Sequence, residues 1–298
     1  MKRLKSFSYF EPDTVTEAIK ILAEQGSKAY PLAGGTDLLV RMKQGEITPT
    51  ALVNLKRIKG LDQIKKESEK GISIGALTSI SAIENSPLIQ SSHPVMVEAA
   101  GVLGSPSIRN LGTLGGNIGR ASPASDMAPS LIVLQARVMI EGLNSKRELD
   151  IENFFLGPGA TTLSPGDLIT SFFLPKMGPN SAAVYLKLGR REGPDCALVG
   201  VAVLLALSGK NDEVRETRVA LSAVTPVPLR AKKTEAVLLS GPLNEDRIRE
   251  AARVAAEESS PITDIRATNS YRKEMVMVLT FRAVSKALTL TEKGDTRK

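Results

Sequence analysis

The sequence has one cysteine, one histidine and no tryptophan among its 298 residues. A lone cysteine cannot close an intrachain disulfide, and with a lone histidine it cannot fill a four-ligand zinc site or ligate a four-cysteine iron–sulfur cluster. A triad of the Ser/His/Asp or Cys/His kind would have to use His93. That residue lies in Ser91-Ser92-His93-Pro94, a context that predicts a surface or helix-capping side chain. No catalytic acid, base or nucleophile and no metal site stands out.

Long apolar runs are also missing. The most apolar stretch, 196–208, is too short to cross a bilayer as a helix and reads as a buried strand. The opening MKRLKSFSYF carries positive charge without the apolar core of a signal peptide, so the expectation is a cytoplasmic protein with no membrane span. Basic residues outnumber acidic ones 39 to 32, for a formal net charge of +7, but they are scattered among acidic neighbours. With seven Phe and four Tyr for stacking and no long basic run, nucleic-acid binding is not expected.

What remains is a globular composition, 42% apolar, over a length that predicts about two domains with a cleft between them. Apolar spacing predicts a helix over 14–23 with a Thr14-x-x-Glu17 capping box, a strand over 29–32, a helix over 38–44 and a strand over 51–55. Shorter elements follow: a strand over 71–75, a helix capped by Ser81-x-x-Glu84, a helix over 94–103, a glycine-rich loop, a helix over 127–134, a hairpin of 137–141 with 147–151, and a strand over 167–174. The turn-rich run Pro175 to Ser181 marks a boundary. Beyond it, strands over 183–189, 199–207 and 214–224 precede helices over 234–239, 245–258 and 269–290, then a charged, frayed tail.

Two paired-glycine segments carry the chemistry: Ala33-Gly34-Gly35-Thr36-Asp37 and Thr113-Leu114-Gly115-Gly116-Asn117. Paired glycines let backbone amides approach a ligand closely, and phosphates are a suitable one. Neither segment has the Gly-x-x-x-x-Gly-Lys of a nucleotide triphosphatase or the Gly-x-Gly-x-x-Gly of a nicotinamide site. Each alone also reads as a tight turn. Likewise, Asp126 reads as a helix cap, Lys187 as a solvated strand residue, and Thr113 and Asn117 as turn-closing side chains.

The run from Ser105 to Asp126, taken with Ala33 to Thr36, closely resembles the FAD-binding medium subunit of the molybdenum hydroxylases, the family of aerobic carbon monoxide dehydrogenase and xanthine dehydrogenase flavoproteins. Gly166-Asp167-Leu168-Ile169, and Tyr185-Leu186-Lys187 followed by Arg190, Arg191 and Asp195, continue the resemblance in order.

The resemblance implies an α+β fold. Its parts are an FAD-binding domain of the vanillyl-alcohol-oxidase-like (PCMH) type over 1–177, in subdomains of about 1–55 and 56–177, and a C-terminal domain over 178–290 with a three-stranded antiparallel sheet and helices, before a tail over 291–298. It places Ala33, Gly34, Gly35, Thr36 and Asp37 around the FAD pyrophosphate, and Thr113, Gly115, Gly116 and Asn117 against the phosphates and the flavin. Asp126 would contact sugar or ribityl hydroxyls, with Ile169 and Lys187 flanking FAD.

The implied function is that of an FAD-carrying electron-transfer subunit, served by a small 2Fe–2S subunit and a large molybdopterin subunit in a dimer of heterotrimers. Relatives of the 4-hydroxybenzoyl-CoA reductase branch add a cysteine-ligated cluster, for which Cys196 alone does not suffice. Two other readings stay open at this point. One is a stand-alone FAD-dependent reductase resembling the enolpyruvyl-glucosamine reductase, and the other is a basic non-catalytic binding protein.

Overall fold

The computed structural model describes residues 4–191, 193–208 and 213–295. Chain order begins with a small unit in which β1 (Ser8–Phe10), β2 (Ala29–Leu32) and β3 (Ala51–Asn54) form a parallel sheet in the order β1-β3-β2. α1 (Val15–Gln25) crosses from β1, and α2 (Leu38–Gln44) lies between β2 and β3. The Thr14 hydroxyl caps α1 by accepting from the Glu17 amide at 3.2 Å, as the capping motif predicts. The Glu17 carboxylate reaches back past Thr14 to the Asp13 amide.

The next strands build a five-stranded antiparallel sheet from β4 (Ile64–Glu67), β5 (Gly71–Gly75), β6 (Arg137–Gly142), β7 (Ser145–Asp150) and β10 (Leu168–Pro175), in the order β4-β5-β10-β6-β7. A two-stranded ribbon, β8 (Phe155–Gly157) with β9 (Ala160–Thr161), sits outside it. Between β5 and β6 the chain makes six short helices: α3 (Ile80–Glu84), α4 (Pro87–Ser92), α5 (Pro94–Gly101), α6 (Pro106–Leu111), α7 (Leu114–Gly119) and α8 (Met127–Val133). Ser79, not Ser81, caps α3, and proline stands in the first turn of α4, α5 and α6, where no backbone donor is lost.

The last part is a four-stranded antiparallel sheet, β11 (Ser181–Leu188), β12 (Val199–Leu207), β13 (Val214–Ser222) and β14 (Leu229–Arg230), followed by α9 (Lys232–Leu239), α10 (Glu245–Glu258) and α11 (Asn269–Asp295). The two-residue β14 adds a strand to the expected three, because it is too short to leave an alternating pattern. α11 also runs past the expected end into the tail, as far as Asp295, and the hydroxyl of buried Thr291 donates to Ala287 O at 2.6 Å along it. Residues 296–298 lie outside the described residues.

β12 is buried on both faces along its length. Val199, Val201, Val203 and Leu205 point into a core with α10 and α11, whereas Ala202 and Leu204 join Ala183, Tyr185 and Ala220 in the core of the five-stranded sheet and its helices. The strand period of two therefore sends alternate side chains to different cores. Three alanines on the second face, Ala183, Ala202 and Ala220, let the sheet approach that core closely.

Candidate functional site

The two paired-glycine segments meet. A Cβ on Gly34 would stand 2.0 Å from Leu111 O and 3.0 Å from Gly112 Cα, so the first loop packs directly on the chain entering the second. Only glycine permits that approach. Gly35 adopts φ +74°, which turns the loop toward α2. Among the described residues the amides of Gly34, Gly35 and Thr36 donate to no protein acceptor, in a loop that is half-buried. Three adjacent free donors beside glycines make a cradle suited to an anion.

The second segment differs from its reading as a loop: Leu114 to Gly119 is helix α7, capped by Thr113, whose hydroxyl accepts from the Gly116 amide at 3.0 Å. The Gly115 amide donates to Ala76 O at 2.8 Å and the Asn117 amide to Thr113 O, so these donors are used within the protein. Gly115 is required by packing, since a Cβ there would stand 2.7 Å from Ala76 O. Gly116 is exposed, and Asn117 Oδ1 accepts from Ser125 Oγ at 2.6 Å. Backbone pairing fixes this segment against the end of β5: the Leu114 amide bonds Thr78 O and the Ile80 amide bonds Gly112 O. A bulge in β10 between Ile169 and Ser171 frees Thr170 O to accept from Ala76, and Ile169 lies buried beneath Gly119.

Arg120, the residue after α7, places Nε 2.9 Å from Asp37 Oδ2 and bridges the two segments. Ala121 then takes φ +47°, a left-handed conformation that costs a non-glycine residue energy and is met most often at functional turns.

Asp126 and Lys187, 61 residues apart, meet at 2.9 Å. Asp126 stands at the N-cap position of α8 without capping it, as Ser125 Oγ accepts from the Ala128 amide instead. Nor is Lys187 solvated: its side chain is 7% exposed and its ammonium also donates to Val102 O. Tyr185 donates to the other Asp126 oxygen at 2.8 Å. Burial pushes the Asp126 carboxyl above its ordinary pKa, against the opposing pull of Lys187 and Tyr185. Burial first, and then the Asp126 charge, pushes the Tyr185 phenol well above 10.0.

Tyr185 carries part of the family resemblance but has no site role in the sequence analysis, although two residues before Lys187 on a strand it shares that side chain's face. His93 does cap by position, as the C-cap of α4 and the N-cap of α5, but its side chain makes no capping bond and is not on the surface. It is buried, and Nε2 donates to Pro175 O at 2.8 Å.

Residues 5–177 match the family described as FAD binding domain in molybdopterin dehydrogenase, and residues 184–287 match the CO dehydrogenase flavoprotein C-terminal domain. The chain belongs to the FAD-binding medium-subunit family of molybdenum hydroxylases. It is 34% identical to the glyceraldehyde dehydrogenase medium chain of Sulfolobus acidocaldarius, over 93% of this chain and 96% of that one. Against the carbon monoxide dehydrogenase medium chain of Hydrogenophaga pseudoflava it is 33% identical, over 94% and 96%. A solved structure of carbon monoxide dehydrogenase from that organism, lacking the Mo-pyranopterin moiety, superposes with a TM-score of 0.93, covering 97% of this chain and 99% of its counterpart.

This FAD subunit is therefore part of a multi-subunit molybdenum-containing dehydrogenase, with FAD as its cofactor. No helix among its described residues is long and apolar enough to cross a membrane.

Proposed function

We propose that this flavoprotein subunit passes electrons from iron–sulfur clusters of a small partner subunit through FAD to an external acceptor, while a large molybdopterin subunit oxidises the substrate. In this reading residues 1–177 bind FAD, and residues 178–290 form the C-terminal domain that backs the site. FAD supplies the capacity to take electrons singly and release them in pairs.

The chain's own residues hold and orient the cofactor. The observation that carries the reading is the junction of the two glycine segments, with three free amides in the first. In this assignment Ala33 to Asp37 surround the diphosphate, whose charge the free amides of Gly34, Gly35 and Thr36 meet. Thr113, Gly115, Gly116 and Asn117 then act mainly as a close-packed wall, because the amides of Gly115, Gly116 and Asn117 are already bonded. Asp126 accepts from ribityl hydroxyls with the lone pairs left over from Tyr185 and Lys187, and Ile169 backs α7.

Arg120 neutralises Asp37, which would otherwise repel a diphosphate. Exposed Leu39, Val40, Ile108 and Leu111 beside the junction support a partner docking at this end. One cysteine in the chain agrees with clusters held elsewhere. Relatives named for glyceraldehyde, carbon monoxide and nicotinate share this chain's length, which supports substrate choice by another subunit.

The test is to mix the purified complex anaerobically with its reducing substrate and follow the visible flavin absorption. Bleaching that is lost when FAD is stripped from this chain, and restored on adding FAD, is the expected result. A complex that reduces its acceptor at full rate without FAD would overturn the proposal.

A further inference from the structure

Tyr185 belongs to the C-terminal sheet, yet the residue is 4% exposed and packs in the core with the residues that follow the second glycine segment. It donates to Asp126 Oδ1, while Lys187 on the same strand face donates to Asp126 Oδ2. The Tyr185 backbone is fixed as well. Its amide donates to Glu98 Oε2 at 2.8 Å, and the other Glu98 oxygen accepts from Lys286 at 2.6 Å. Gly200, on the neighbouring strand, makes room for the hydroxyl: a Cβ there would stand 2.6 Å from Tyr185 Oη and 2.4 Å from Ser222 Oγ. A further backbone bond, from Ala223 N to Pro123 O at 2.7 Å, ties the end of β13 to the same segment.

A carboxylate gripped by one donor can still rotate, whereas donors on both oxygens fix its plane. The two donors here have different properties. Lysine is a point charge on a flexible stem, and tyrosine a rigid ring whose hydroxyl position is set by packing. The ammonium balances the buried charge and the phenol sets the orientation.

We propose that Tyr185 is a positioning residue of the cofactor site, holding the Asp126 carboxylate in the plane in which its remaining lone pairs accept hydroxyl groups of a polyol chain. This rests on the placing of Asp126 in the FAD site under the proposed function. The C-terminal sheet then completes that site by supplying the part that orients Asp126.

The test uses the full chain in the complex in which it is purified, freed of flavin and titrated with FAD. Four forms are compared, wild type, Tyr185→Phe, Asp126→Asn and the double variant, with apo thermal unfolding recorded for each. Removing the hydroxyl is expected to weaken FAD binding about tenfold in the wild-type background and less than about twofold in the Asp126→Asn background, because a residue acting through another has nothing left to act on. Gly200→Ala, which displaces the phenol sterically without removing it, is expected to reproduce the loss and the same dependence on Asp126.

Equal losses in both backgrounds, or an unchanged affinity in Tyr185→Phe, would overturn the inference while leaving FAD binding intact. A wild-type complex that takes up no FAD would instead overturn the underlying assignment, and this inference with it.

Discussion

Arg120 Nε lies 2.9 Å from Asp37 Oδ2, so an ion pair ties together two glycine segments whose first residues, Ala33 and Thr113, are 80 positions apart in sequence. Both side chains are about a third to a half exposed, 34% and 49%, and a pair so exposed contributes only about 0–1 kcal/mol to folding. Its importance is electrostatic and local. Without Arg120, the Asp37 charge stands beside the proposed diphosphate loop, paired among the described residues with Arg41 alone, at 3.8 Å.

Arg120→Ala is therefore expected to leave the melting temperature nearly unchanged and to weaken FAD binding several-fold at low salt, with the deficit shrinking as salt screens the carboxylate. Asp37→Asn in the same background restores most of the affinity. Equilibrium titration at two salt concentrations checks both, and a salt-independent deficit would refute the electrostatic account.

α7 offers an internal control on the glycines. Gly115→Ala drives a Cβ to 2.7 Å from the Ala76 carbonyl oxygen and 2.8 Å from the Ala76 Cβ, and neither atom sits on a flexible side chain that can move aside. Overpacking of this kind costs about 1–3 kcal/mol. Gly119→Ala, four residues on in the same helix, meets Ile169 Cδ1 at an ordinary 3.6 Å and gains helix propensity of up to about 1 kcal/mol. Urea unfolding of the two apo variants should move in opposite directions.

His93 gives the fold a pH limit on the acid side. Burial holds its pKa below the ordinary 6.5, with the Pro175 carbonyl pulling the other way. The unfolded chain thus takes up a proton near pH 6.5 that the folded chain resists, so this group's contribution is complete above that value and is lost as the pH falls below it. Glu69 and Asp264 have depressed pKa values and unfolded values of 4.5 and 3.8, so their contributions are lost only at lower pH. Melting temperature should drop between about pH 7.5 and about pH 5.5, and the drop should be smaller in His93→Gln. Equal slopes in variant and wild type would remove His93 as the cause.

Local signals specify their elements where they are long or strongly punctuated. α2, α10, β2 and β5 fall on their expected residues, since apolar period, caps and flanking glycines agree there. The region between β5 and β6 carries weaker local signals. Helices of six residues such as α6 and α7 complete too few turns to show a period, and glycines that look like loop formers are there because neighbouring backbone passes within contact distance. At the site, the glycines, Asp126 and Lys187 were legible as motif members. Tyr185 was legible as a motif member but not in its role, and Ser222 and Gly200 were not legible at all, because these roles exist only once β11, β12 and β13 are paired.

The sequence by itself determined the residue types: glycines that allow close approach, one cysteine, too few for a four-cysteine cluster, and strand and helix periods that mark individual elements, with the α+β class implied by the family resemblance. Tertiary structure decided which of them meet. It brought Arg120 to Asp37, and Tyr185 and Lys187 to Asp126, and it buried His93 against Pro175. Periodicity records which face of an element is apolar, whereas the charge balance and hydrogen bonding of a buried site depend on contacts between residues far apart in the chain.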